Sequence, residues 1–223
     1  MFLNKPRFWN NKNLSFLAII FYPLSLLVIF IVKLKKLKKK KKFKIPIICV
    51  GNIYLGGTGK TPLSIKINQL LITLGKKPAI VKKFYPYLSD EISMIKKYGK
   101  LYTSKNRSKL INELIKDDND IAILDDGFQD NSIFKDLSIL CFNKNQMIGN
   151  GLVIPSGPLR EPLSSIQEAQ LIFINGDKNL EYEKKFLSIN PFINFYYFKY
   201  IVLNKDIYLN DKYIAFAGIG NPD

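Results

Sequence analysis

Val50-Gly51-Asn52-Ile53-Tyr54-Leu55-Gly56-Gly57-Thr58-Gly59-Lys60-Thr61-Pro62 is the stretch on which the fold turns. The apolar run Ile45–Val50 at its front reads as a buried strand. From Lys60 onward the spacing predicts a helix with Leu63, Ile67, Leu70, Leu71 and Leu74 on one face, ending at Gly75. Between the two, glycines let several backbone N–H groups turn inward around phosphate oxygens without Cβ clashes. The helix N-terminus adds its dipole to the same anion site. Lys60 then reaches the outer phosphates and Thr61 offers a hydroxyl to Mg²⁺. The strict G-x-x-x-x-G-K-[ST] spacing wants glycine where Tyr54 stands. The reading therefore rests on Gly56, Gly57, Thr58, Gly59, Lys60 and Thr61 in their strand–loop–helix setting. A generic glycine-rich turn is the competing reading.

Outward from this loop, strand-like and helix-like runs alternate. Pro78–Lys82, Lys100–Ser104, Asp120–Leu124, Leu137–Phe142 and Leu171–Asn175 read as strands, and Asn106–Lys116 reads as a helix. Such alternation predicts an α/β fold, a P-loop NTPase-like and mostly parallel sheet with flanking helices. From Asn179 the texture shifts, and the aromatic run Phe192–Leu203 suggests consecutive strands. The expected division is an anchor and lysine-rich linker over 1–44, a core over 45–178, and the start of a smaller second lobe over 179–223.

Three further stretches bear on chemistry. Asp125 and Asp126 close the apolar run Ile121–Leu124, where a P-loop fold holds Mg²⁺ or its waters, although Asp-Asp-Gly alone is a common turn. The proline- and glycine-rich loop Gly149–Pro162 contains Arg160, a candidate phosphate clamp, and Glu161, a candidate metal carboxylate. On pattern alone that pair equally fits a stiffened loop with a surface ion pair. Ser89-Asp90-Glu91 reads on pattern as a helix cap.

Charge is placed unevenly. Residues 1–44 hold twelve lysines and arginines and no acid, so of the net charge of +16 only +4 falls on the rest. A nucleic-acid-binding domain carries its positive charge on the folded surface, so nucleic acid is not an expected partner. Leu14–Val32 contains no charge and as a helix would be about 28 Å long, close to a bilayer's hydrocarbon thickness. Phe8 and Trp9 precede it as candidate interfacial aromatics. The lysines from Lys33 to Lys44 follow it, which predicts that the bulk of the protein is cytoplasmic. The absence of histidine removes His-based triads and His metal sites. Cys49 and Cys141 sit in apolar runs and read as buried strand residues.

Together these stretches resemble the tetraacyldisaccharide 4′-kinase family of lipid A biosynthesis. The likeness is carried by Val50–Pro62, Leu124–Gln129, Gly149–Pro162 and Ala215–Pro222. It implies transfer of the γ-phosphoryl of ATP, with Mg²⁺, to the 4′-hydroxyl of an acylated disaccharide 1-phosphate embedded in the bacterial inner membrane. It further implies that Lys60 and Thr61 serve phosphate and metal, that Asp125, Asp126 and Glu161 surround the metal, and that Asp90 accepts the sugar hydroxyl's proton. The chain departs from the family pattern in several places. Lys82-Lys83-Phe84-Tyr85-Pro86-Tyr87 replaces a Ser-Arg-Gly-Tyr-Gly segment, Asp130 replaces a histidine, and Ser89 and Ile92 replace a glycine and a proline. Family members also continue past the Gly-Asn-Pro turn into a lobe bearing a histidine that assists the catalytic aspartate. A truncated, catalytically impaired nucleotide-binding membrane protein is the alternative expectation.

Overall fold

The computed structural model describes residues 5–10 and 15–200. The strand expected over Lys212–Ala217, the Ala215–Pro222 segment and the rest of the expected second lobe beyond 200 lie outside them. After an N-terminal helix α1 (Phe16–Lys36) the chain alternates β1 (Ile47–Gly51), α2 (Lys60–Thr73), β2 (Pro78–Lys83), α3 (Ser89–Lys96), β3 (Leu101–Ser104), α4 (Arg107–Lys116) and β4 (Ile121–Asp125). It continues with β5 (Leu137–Asn143), β6 (Leu171–Asn175), α5 (Leu180–Leu187) and β7 (Asn194–Phe198). All seven strands join one sheet in the order β3-β2-β4-β1-β5-β6-β7, and every neighbouring pair is parallel. Helices cover both faces, so the central strands are buried on both sides and read as unbroken apolar runs. Cys49 and Cys141 are free and buried within them.

Register decides what meets at the sheet's C-terminal edge. Asp125, the last residue of β4, lies opposite Val50 of β1 on one side and Lys82 of β2 on the other. In an open parallel sheet the strand C-termini and following helix N-termini form the natural ligand crevice.

Two sequence expectations change. Leu63, Ile67 and Leu71 pack on the core as expected, but the buried face of α2 also takes in Thr61, Ser64, Ile65 and Asn68, while Leu70 and Leu74 are exposed. The first turns must present Thr61 and Ser64 to Asp125, and that polar demand narrows the apolar stripe. The sheet also continues past residue 178. β7 pairs with β6 in the same sheet, and Phe186 of α5 is wholly buried against Phe142 and Phe195.

α1 is long and apolar enough to cross a membrane. Its middle is nevertheless fastened to the core: the Ser25 hydroxyl donates to the Val153 carbonyl at 2.8 Å, shares a 2.9 Å bond with the Ser156 hydroxyl, and accepts from the Ser156 N–H at 3.1 Å. Val28 and Ile29 pack on the core cluster, and Lys36 pairs with Glu161 at 2.9 Å. The opposite face, including Phe16, Ile19, Ile20, Leu27 and Phe30, is exposed. Trp9 does not serve as an interfacial aromatic. It is buried, and its indole N–H donates to the Pro155 carbonyl at 3.0 Å. Replacing Ser25 by valine strands buried polar atoms of residues 153 and 156. This should lower unfolding stability by about 1–3 kcal/mol and speed proteolysis within the lysine-rich segment after α1. Unchanged denaturant midpoint and cleavage rate would contradict the docking.

Candidate active site

The phosphate loop is built from main-chain geometry first. Gly59 caps α2 with φ of +86°, a left-handed value that disfavours a side chain, and Gly56 has φ of +139°. The buried Asn52 amide holds the loop from inside, donating to the Gly56 carbonyl at 3.1 Å and the Thr58 hydroxyl at 3.0 Å. Gln129 donates in turn to the Asn52 carbonyl at 2.7 Å. Tyr54, where the strict pattern wants glycine, is fully buried and forms an antiparallel bridge with Leu159. The Leu55 N–H donates to the Pro158 carbonyl and the Arg160 N–H to the Ile53 carbonyl. That side of the loop is thus a short ladder with no left-handed residue, and glycine is not required there.

Immediately below lies the charged centre. Asp125 is wholly buried; its carboxylate accepts from the Thr61 hydroxyl at 3.0 Å and the Ser64 hydroxyl at 3.0 Å. The Lys82 ammonium sits 2.5 Å from Asp125 Oδ2, 2.6 Å from Glu91 Oε2 and 3.5 Å from Thr61 Oγ1. Burial disfavours the Lys82 ammonium, but Asp125 and Glu91 outweigh it and hold its pKa above the ordinary lysine value. Three hard oxygens, from Thr61, Asp125 and Glu91, therefore converge on one cation, which is the donor chemistry that suits Mg²⁺. Among the described residues no group of three carboxylates, thiols or imidazoles gathers as a metal nest, so phosphate oxygens and water would complete a shell.

Asp126 carries a second set of charges. Arg160 reaches its two oxygens at 3.1 and 3.3 Å, and Lys60 lies 3.6 Å from one of them. Arg107 fixes the strand end, donating to the main-chain carbonyls of Asp125 at 3.1 Å and Asp126 at 2.8 Å and pairing with Asp130 at 3.4 Å. Lys82, Tyr85, Arg107, Asp126 and Arg160 line a cavity of about 390 Å³ in front of this cluster.

The structure thus brings Lys60, Thr61, Asp125, Asp126 and Arg160 together as the sequence predicts. It does not bring Glu161 to them. Its buried carboxylate pairs with Lys36 of α1 at 2.9 Å and, beside Arg160, lines a smaller cavity against that helix. Asp90 is exposed in the first turn of α3, one residue from Glu91, which is the member of that pair touching Lys82. Sequence reasoning missed Glu91, Lys82, Ser64, Asn52 and Arg107. A signal existed for Arg107, since Arg7, Arg107 and Arg160 are the chain's only arginines and two of them converge here.

Residues 17–223 match the family described as tetraacyldisaccharide-1-P 4′-kinase. The tetraacyldisaccharide 4′-kinase of Pelagibacter ubique (strain HTCC1062) is 43% identical over 99% of this chain and 71% of its own length. That of Francisella tularensis subsp. novicida (strain U112) is 32% identical over 97% of the chain and 78% of its own length. Among solved structures, LpxK from Aquifex aeolicus in complex with ATP superposes with a TM-score of 0.63 at 27% identity, covering 82% of this chain and 64% of that one. The signal recognition particle 54 kDa protein from Aeropyrum pernix, bound to GDP, shares the fold alone, with a TM-score of 0.51 at 12% identity.

Burial alone would raise the Asp126 carboxyl, but Lys60 and Arg160 outweigh it and hold it below its ordinary value of 3.8. A carboxylate depressed on folding stabilises the native state above its ordinary pKa, and the contribution fades as pH falls through the depressed value. Acid unfolding of Asp126→Asn should therefore show a shallower pH dependence below about pH 4 than the unsubstituted chain. Superimposable acid limbs would contradict the pairing.

Proposed function

Because the chain belongs to the tetraacyldisaccharide-1-P 4′-kinase family, we propose that it transfers the γ-phosphoryl of ATP to the 4′-hydroxyl of an acylated disaccharide 1-phosphate. The observation that carries this reading is the convergence of Thr61, Asp125 and Glu91 on one cation, directly beneath a glycine loop at the N-terminus of α2. Inward amides of Gly56–Gly59 and the Lys60 ammonium hold the β- and γ-phosphates. Thr61, Asp125 and Glu91 are the residues that would hold Mg²⁺, which when bound supplies charge neutralisation to the phosphate oxygens. Asp126, at the cavity wall, holds Lys60 and Arg160 beside it, ready to meet charge on the transferring group.

Asp90, exposed in the first turn of α3 next to Glu91, takes the acceptor's proton. The 4′-oxygen forms a bond to the γ-phosphorus, the bond from that phosphorus to the bridging oxygen of ADP breaks, and the hydroxyl proton passes to the Asp90 carboxylate. Positioning supplies most of the acceleration in such transfers, with modest help from a base.

The acceptor is a lipid, and the exposed apolar face of α1 suits a membrane surface. Attachment of Ser25, Val28, Ile29 and Lys36 to the core favours a helix lying in the inner-membrane interface over one that spans it. The lysines of 33–44 meet anionic headgroups on the cytoplasmic side. A cavity of about 220 Å³ between Val28, Ile31 and Val32 of α1 and Arg160 and Glu161 of the Gly149–Pro162 loop lies between this surface and the chemistry.

With radiolabelled ATP and the disaccharide 1-phosphate in detergent micelles, the folded protein should give labelled lipid. Lys60→Ala and Asp125→Asn should each slow it about 100-fold or more. Asp90→Asn should lower turnover while leaving ATP affinity unchanged. A folded, ATP-binding protein that yields no labelled lipid would overturn the kinase assignment.

A further inference from the structure

Lys82 belongs to no phosphate-binding pattern, yet its ammonium is among the most enclosed charges in the molecule, its side chain only 4% exposed. We propose that Lys82 is a tethered counter-ion that occupies the divalent-metal position of the nucleotide-free protein, so that the metal settles only together with ATP. The inference rests on the assignment of Thr61, Asp125 and Glu91 as metal ligands, and concerns how that site is filled.

The first ground is charge. Asp125 has no contact with solvent, and its other described side-chain partners, Thr61 and Ser64, are neutral hydroxyls. A buried carboxylate without a cation is strongly disfavoured. The other basic groups nearby are committed elsewhere. Lys60 and Arg160 lie on Asp126, and Arg107 is spent on two main-chain carbonyls and Asp130. Lys82 is the cation left to serve Asp125.

Position is the second ground. The ammonium nitrogen is 2.5 Å from Asp125 and 2.6 Å from Glu91, with the Thr61 hydroxyl at 3.5 Å. Mg²⁺ prefers oxygens at about 2.0–2.1 Å, so an ion bridging the same carboxylates would fall nearly on top of the nitrogen. Two cations cannot share that point.

Release supplies the third. Strand register pins the Lys82 backbone opposite Asp125, while its side chain borders the 390 Å³ cavity, so rotation about the side-chain bonds can move the ammonium without moving the strand. A free dication would leave the evicted ammonium only the cavity's Asp126 and Asp130, which Lys60, Arg160 and Arg107 already engage. A dication arriving with a polyphosphate brings a further anion along. Entry of the metal is thereby coupled to entry of the nucleotide.

Manganese binding to the nucleotide-free protein, read by the loss of the free-ion electron paramagnetic resonance signal, tests this without turnover. Lys82→Met should bind Mn²⁺ about tenfold tighter or more than the unsubstituted chain, whereas Lys82→Arg, which keeps the charge, should stay weak. With a non-hydrolysable ATP analogue present, the gap between Lys82→Met and the unsubstituted chain should narrow. Equal free-metal affinity in those two chains would overturn the proposal. Should Lys82→Met unfold in metal-free buffer, its thermal unfolding is followed with added Mn²⁺ and with NaCl of equal ionic strength. Recovery by Mn²⁺ alone supports the proposal, and recovery by both or by neither overturns it. Failure of the unsubstituted chain to bind the analogue with Mn²⁺ would instead count against the kinase assignment, and the two failures remain distinguishable.

Discussion

Asp125 is the interaction on which the rest of the site depends. It ends a buried parallel strand, so its carboxylate is delivered without solvent to the level where α2 begins. A buried carboxyl group needs hydrogen-bond partners, and the chain supplies two hydroxyls from α2 and one ammonium from β2. The price of that arrangement is visible in α2, which turns Thr61 and Ser64 inward and leaves Leu70 and Leu74 in the open. Arg107 completes the strand end by holding the carbonyls of residues 125 and 126, so that the two consecutive carboxylates face different cations.

A second chain of contacts runs from the apolar helix to the phosphate loop. Ser25 bonds to Val153, residues 153 and 159 form a parallel bridge, and Leu159 bridges Tyr54 at the base of the glycine turn. Glu161, two residues further on, returns to Lys36 at the C-terminal end of α1. The proline-rich loop therefore links the apolar helix to the glycine loop. Tyr54 takes the place of a glycine because ladder pairing, rather than a left-handed turn, is what its backbone needs.

Much of this was legible in the residues. The strand–glycine loop–helix unit, the acidic pair after an apolar strand and the alternation of elements follow from local chemistry, and the parallel sheet follows from the alternation. What escaped depends on register. Nothing local to Pro78–Lys83 marks Lys82 as different from the many solvated lysines, because its meaning comes from lying opposite Asp125. Glu91 hides behind its role in a helix's first turn, and only the placement of α3 against the β2 end separates it from Asp90. The Glu161 partner, Lys36 of α1, also escaped, because it lies 125 positions away in the chain and no local pattern marks it. The sheet's extension through β7 was missed because an aromatic run does not reveal which neighbour it pairs with.

The central claim is that the oxygens around Asp125 form the cation centre of a lipid kinase. The most direct measurement is a crystal structure of the protein with Mn²⁺ and a non-hydrolysable ATP analogue, with the metal located by its anomalous scattering. The account predicts a peak bonded to Thr61 Oγ1 and the Asp125 carboxylate, with the Lys82 ammonium turned away from both. A metal found elsewhere, with Lys82 still seated on Asp125, would contradict it.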